Sequence, residues 1–245
     1  MLNLGEKIIK YFKILQRDGF ILFIKRSVVF IWRKITNAIN FSEVNSKKYW
    51  DFRLKYNWLF VGGGEQNTYF AVGAFANINK DNFRSVNTIL DFGCANGDAA
   101  PVLNIFFPKA KIYLHDLSNS GVNNGLKRFS RSIPVYKWEQ SIGKVDLVYC
   151  SNVIEHVDDP RSFVDELLEA SQKYVLIQAP WEERGLDGRL IDPSSPHGEH
   201  VWTLNDDFFK KYIERENVVW KKYLGNIELS WPGGEQVFYL GEKVI

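Results

Sequence analysis

The most chemically suggestive stretch of the sequence is Thr88-Ile89-Leu90-Asp91-Phe92-Gly93-Cys94-Ala95-Asn96-Gly97-Asp98. An apolar run ends in a carboxylate, and a turn of small residues then opens a helical pattern. Ligands of open α/β sheets sit at such strand ends, where glycine lets them approach the backbone. A dinucleotide fingerprint would need glycines at 93, 95 and 98, but the chain has Gly93, Ala95 and Asp98. An acid where a pyrophosphate would meet a helix N-terminus has the wrong sign. A cationic ligand fits better, because Asp91 and Asp98 would attract it.

Two imidazoles lie further along. His156 follows Glu155, five residues beyond the run Val145–Cys150, and His200 closes the cluster Pro196-His197-Gly198-Glu199-His200. Imidazole accepts a proton near neutral pH, so either histidine is a candidate catalytic base. His197, Glu199 and His200 lack the i,i+4 helical spacing that favours a metal, and no metal is expected. Arg184, Arg189 and Lys137 are candidates for pairing with an anionic acceptor.

A strand–helix alternation positions these groups. Strands are expected at 88–92, 111–115, 134–138, 145–150, 174–179, 218–224 and 236–243. Helices are expected at 98–106, 120–129 and from Pro160 to about 171, with Asp159 as N-cap. A further helix, capped by Thr203 or Asn205, runs to Ile213. This pattern predicts an α/β fold: a Rossmann-like, mostly parallel seven-stranded sheet with helices on both faces and a C-terminal antiparallel hairpin. Before it, residues 41–87 read as a helical cap on the 88–245 core. Ser46–Tyr56 and Thr68–Ile78 are helical there, and Gly62-Gly63-Gly64 forms a flexible loop.

The 245 residues carry a formal net charge of +2, unevenly divided. Residues 1–40 hold eight Lys/Arg against Glu6 and Asp18, a net of +6, while the other 205 carry a net of −4. A body of that sign does not look like a nucleic-acid binder, whose domain would normally be strongly basic, and no nucleic-acid partner is expected. Residues 1–40 read as a basic amphipathic helical leader. It suits peripheral contact with an anionic membrane surface or packing against protein. Its apolar runs are broken by Lys25-Arg26 and Arg33-Lys34, too soon for a span. No secretion signal is visible, so a cytoplasmic location is expected, with Cys94 and Cys150 reduced.

The cation that suits Asp91 and Asp98 is S-adenosylmethionine, with its sulfonium and ammonium groups. The sequence here resembles the class I S-adenosylmethionine-dependent methyltransferases, in particular the small-molecule group that includes bacterial cell-envelope glycan methyltransferases. The resemblance rests on Asp91, Gly93, Ala95 and Gly97, on Asp116 after the second strand, and on the Val145–Val157 segment with its Glu155-His156 turn. It implies S-adenosyl-L-methionine as cofactor. The donor would be held by Asp91, Gly93, Cys94, Ala95, Gly97, Asp116, Leu117, Glu139 and Asn152, with Asp116 on the ribose hydroxyls and Glu139 near the adenine. It also implies a lid formed by the Tyr49-Trp50 helix and the Gly62–Gly64 loop. A quinone-methylating subgroup that uses a metal has an acid where Asn152 stands, a departure that again implies no metal. The expected acceptor is a small molecule or glycan, with a sugar hydroxyl in cell-envelope polysaccharide favoured.

Overall fold

Strand β4 (Val145–Ser151), buried at all but its last residue, is the middle of the sheet that organises this protein. A computed structural model describes residues 44–58, 62–182, 200–226 and 235–244. The other strands are β1 (Thr88–Phe92), β2 (Lys111–His115), β3 (Val135–Lys137), β5 (Ser171–Pro180), β6 (Val218–Asn226) and β7 (Glu235–Lys243). Their order is β3-β2-β1-β4-β5-β7-β6. β1 to β5 are parallel, and β7 enters antiparallel between β5 and β6. The chain steps outward from β1 and then returns to β4, so the crevice between their C-terminal ends is the topological switch point.

The period-two pattern of the strands sends alternate residues to opposite faces. Ile89, Ile112, Leu114, Leu147, Tyr149 and Leu176 meet one set of helices. Leu90, Phe92, Val148, Cys150, Val175 and Ile177 meet the other. With both faces covered, the middles of β4 (147–150) and β5 (174–177) can be almost wholly apolar.

The helices begin where the sequence supplies caps. α1 (Lys47–Phe52) starts at Ser46, whose side chain accepts from the Tyr49 amide, and runs on into a π-helical turn, Arg53–Asn57. α2 (Gly63–Asn77) and α3 (Ala100–Phe106) have no capping side chain. α4 (Asn119–Phe129) is capped by Ser118, and α5 (Pro160–Ala170) by Asp159 with Pro160 at its first position. Asn205 caps the short α6 (Asp206–Phe208). The expectation of a flexible loop at Gly62–Gly64 is corrected. Gly62 is a left-handed N-cap, and Gly63 and Gly64 already belong to α2. A Cβ on Gly63 would come within 2.5 Å of the Trp58 ring, and one on Gly64 within 2.9 Å of the Asp98 carboxylate. These glycines seat a helix end. No helix among the described residues is long and apolar enough to cross a membrane, and the 1–40 leader lies outside them.

After β1 the chain must turn into α3. The Gly93 and Cys94 amides both donate to the His115 carbonyl, at 2.8 and 2.9 Å, which ties the turn to the end of β2. Gly93, Ala95 and Gly97 have φ of 79°, 48° and 72°. A Cβ at Gly93 would meet the Val153 side chain at 2.3 Å, and one at Gly97 the Gly125 Cα at 3.0 Å. Gly121 and Gly125, one turn apart on α4, let that helix lie against the Ala95 and Asn96 carbonyls.

At the opposite end of the sheet, Asp146 ties β4 to the start of β1. Its Oδ2 accepts from the Asn87 and Thr88 amides at 2.8 and 3.1 Å, and its Oδ1 meets Lys173 Nζ at 2.8 Å. Burial pushes this carboxyl up, but the Lys173 ammonium and the two amides outweigh it and hold it below its ordinary value. A depressed folded-state value means stabilisation at neutral pH that fades on acidification through that value. Asp146→Ala is therefore expected to cost about 2–4 kcal/mol in urea unfolding at pH 7, with the gap to wild type narrowing in acid. Ala95→Gly should act the other way, raising stability by about 0.5–1 kcal/mol. Relief of a left-handed Cβ outweighs the added unfolded-state entropy.

Candidate active site

Three carboxylates converge where β1 and β2 end. Asp91 is 3% exposed on β1, in register with Leu114 and Tyr149, and its Oδ2 is buried without a hydrogen-bond partner. Burial, and next the Asp116 and Asp98 charges, push its carboxyl well above the ordinary range. Asp116 follows β2. Its Oδ2 accepts from the Ala95 amide at 2.8 Å and its Oδ1 from the Ser118 amide at 2.7 Å. Burial pushes it up to about 6 against the pull of those two amides. The Cys94 thiol is likewise raised by burial and then by Asp116 and Asp91.

Asp98 does something else. Its Oδ1 accepts from Arg128 at 2.6 Å and its Oδ2 from Trp58 Nε1 at 3.0 Å. It joins the cap to α4, so the expectation that it attracts a cationic ligand beside Asp91 is corrected. That leaves Asp91, with an unpartnered buried oxygen, and Asp116, each of whose oxygens keeps a second lone pair. A ligand with one cationic end and a pair of hydroxyls fits this donor set.

The other wall of the crevice follows β4. Asn152 has φ 53°, a conformation that asparagine tolerates, and its amide donates to the Gln178 carbonyl at 2.8 Å. A 3-10 turn, Ile154–His156, comes next. Val153, just before it, is the side chain seated on Gly93, so the two ligand-facing turns pack on each other. His156 is edge-on to His200, with ring centroids 4.8 Å apart, and edge-on to Trp50 at 5.2 Å. The sequence thus named two histidines 44 residues apart that the fold brings together. Glu155 joins them: its Oε1 is 4.0 Å from His156 Nε2, and its backbone carbonyl accepts from the Val201 and Trp202 amides.

α1 spans both walls. Ser118 Oγ donates to Asp51 at 2.5 Å, and Lys47 Nζ reaches the Leu117 carbonyl at 3.1 Å, while Trp50 meets His156. The Leu117 side chain is 54% exposed, and Glu139 and Lys137 are exposed at the end of β3. Cys94 and Cys150 are buried free thiols. His197, Glu199, Arg184 and Arg189 lie outside the described residues. Sequence reasoning passed over Gly121 and Gly125, although their i,i+4 spacing beside a glycine-rich turn signals a helix packed close.

Residues 66–218, more than half of the chain, match the methyltransferase domain family. No curated protein matches the sequence significantly. Among solved structures, the Haloferax volcanii protein in complex with the Trm112 methyltransferase activator aligns with a TM-score of 0.57 at 12% identity, over 82% of this chain and 96% of that one. Magnesium protoporphyrin IX methyltransferase from Synechocystis PCC 6803, solved with bound SAH, gives 0.51 at 14%, over 76% and 88%. The O-methyltransferase of a Brevibacillus brevis trans-AT PKS multienzyme, in complex with S-adenosyl-L-homocysteine, gives 0.51 at 11%, over 74% and 72%. At such identities the likeness is one of fold. Together with the family match over the crevice-forming elements, it carries the conclusion that the chain belongs to the methyltransferase domain family, as a class I S-adenosylmethionine-dependent methyltransferase.

Proposed function

We propose that the protein moves the methyl group of S-adenosylmethionine to a hydroxyl of a small molecule or glycan, with a sugar of cell-envelope polysaccharide as the favoured acceptor. The observation that carries this reading is the buried Asp91 carboxylate, unpartnered at Oδ2, beside Asp116 on one wall of a crevice whose other wall presents His156 and His200.

When bound, S-adenosylmethionine supplies a methyl group on a sulfonium, a leaving group that needs no further activation. The protein's own work is then to hold the donor, align the acceptor and exclude water. Asp91 is assigned to the donor's cationic end and Asp116 to the ribose hydroxyls. The backbone from Gly93 to Gly97 lines the donor side, with Leu117, Glu139 and Asn152 around it. His156 and His200 are the groups placed to activate the acceptor hydroxyl, under the cover of Trp50. The sugar preference rests on the basic character of residues 1–40, net +6, which would bring the enzyme to an anionic membrane surface where lipid-linked glycans are handled.

Donor binding needs ionised Asp116, so affinity in calorimetric titration is expected to fall as pH drops through about 6. The same raised value makes this group stabilise the donor-free fold as pH falls through that range, so weaker binding in acid would not reflect unfolding. Asp116→Asn should bind weakly and with a smaller pH step, because Asp91, raised as well, still has to ionise; wild-type affinity in that variant removes Asp116 from the donor site. In a transfer assay with labelled donor across sugar nucleotides, lipid-linked glycans and small acids, methylation is expected on a sugar class. His156→Ala and His200→Ala should each lower kcat by about 10²–10⁴ while donor affinity holds. Transfer confined to carboxylates or amines overturns the sugar assignment.

A further inference from the structure

We infer that Glu155, His156 and His200 form a binding site for one divalent transition-metal ion of the zinc or cobalt type. The inference rests on the proposed function only for the ion's role, not for its binding. One donor atom from each residue lies within 4.8 Å of the other two. Bonds of about 2.0–2.2 Å place tetrahedral ligands about 3.4 Å apart, so shifts of about an ångström close the set. The two imidazole planes meet at 76° and do not stack, which leaves their nitrogens able to aim at one point. Glu155 is 1% exposed, so its carboxylate would meet an ion away from bulk water.

The backbone holds this set in place. Val201 and Trp202 donate to the Glu155 carbonyl at 2.8 and 3.2 Å, and His156 N donates to the Val153 carbonyl at 2.9 Å. Trp202 Nε1 adds a 2.7 Å bond to the Val157 carbonyl. The segment that begins at His200 is therefore stitched to the Glu155-His156 turn. Two imidazoles and one carboxylate suit zinc or cobalt better than magnesium or calcium, and three protein ligands leave a position open for an acceptor oxygen. This departs from the sequence-based expectation of no metal, which weighed the local spacing of His197, Glu199 and His200 and the Asn152 that stands where a metal-using subgroup has an acid. The set found here joins residues 44 apart.

On the methyl-transfer reading, an ion held by Glu155, His156 and His200 would act as a Lewis acid on the acceptor oxygen and make its proton more acidic. With one nitrogen of each ring on the ion and the other carrying its own proton, neither imidazole could accept that proton, which would leave to water before the donor closes the site. The oxygen then forms a bond to the methyl carbon as the carbon–sulfur bond breaks, and sulfur keeps the electron pair.

The test is a Co²⁺ titration of the full chain after chelator dialysis, read by visible absorption and calorimetry. A single site with a low-symmetry cobalt band is expected. Removing even a supporting partner of a metal ligand costs about 10–100-fold in affinity, so His200→Ala and Glu155→Gln should each weaken binding by at least about tenfold. His200→Ala is the variant to trust if Glu155→Gln folds poorly, and donor binding reports on its fold. No one-site isotherm, or equal cobalt affinity in His200→Ala, overturns the site. Full methyl transfer by the stripped enzyme overturns the ion's role and leaves the methyltransferase reading standing. Failure of the wild type to bind donor would strike that reading and leave the cobalt titration interpretable.

Discussion

A carboxylate buried beside other carboxylates is an unfavourable thing for a protein to build, and Asp91 is such a group. Its neighbour Asp98 has been neutralised within the fold by Arg128 and Trp58. Asp116 has two amides. Of the three, Asp91 keeps a buried oxygen with no hydrogen-bond partner, on the central β1–β4 pair of strands. Strain of this kind persists only where surrounding structure over-determines it, and it gathers at functional sites. A cationic ligand at that point relieves what the chain leaves uncompensated.

Everything that forms the crevice depends on holding this strand end in place. The β1–β2 and β1–β4 registers fix where Asp91 stands, and the His115 carbonyl holds the turn that follows. Gly93 is small because Val153 sits on it, so the turn after β1 and the turn carrying His156 cannot shift independently. α1 adds a third tie through Asp51 to Ser118 and Trp50 to His156. A ligand contacting Asp116 thus acts on the same helix that covers the imidazoles.

What the sequence made legible follows the range of the interactions involved. Strand positions were readable because burial on two faces leaves near-continuous apolar runs, and the caps at Asp159 and Asn205 are local hydrogen bonds. Asp91 and Asp116 were readable as strand-end acids. Asp98 was misread, because the arginine that neutralises it lies 30 residues away on α4. Gly62–Gly64 was misread as a loop for a related reason. A glycine triplet looks the same whether it gives flexibility or clears room for Trp58 and the Asp98 carboxylate. The Glu155–His200 grouping joins a turn to a distant segment, and no local pattern encodes it.

The two walls of the crevice differ in what constrains them. Donor-side groups stand on β1, β2 and the turn wedged between α4 and Val153, where any change must be absorbed by the sheet. Acceptor-side groups come from α1, the 3-10 turn and the segment from His200 to Trp202, which lie beyond the strands and are joined by a few hydrogen bonds and ring edges. Trp50, His156 and His200 are half-buried and stand outside the core clusters, although Ile154 of the same turn belongs to one. Donor chemistry is therefore the property that the sheet preserves, and acceptor choice is the one that it leaves free to vary. On the proposed reading Asp91 and Asp116 serve the methyl donor that the family match implies, and the acceptor is to be sought through what His156, His200 and Trp50 can hold.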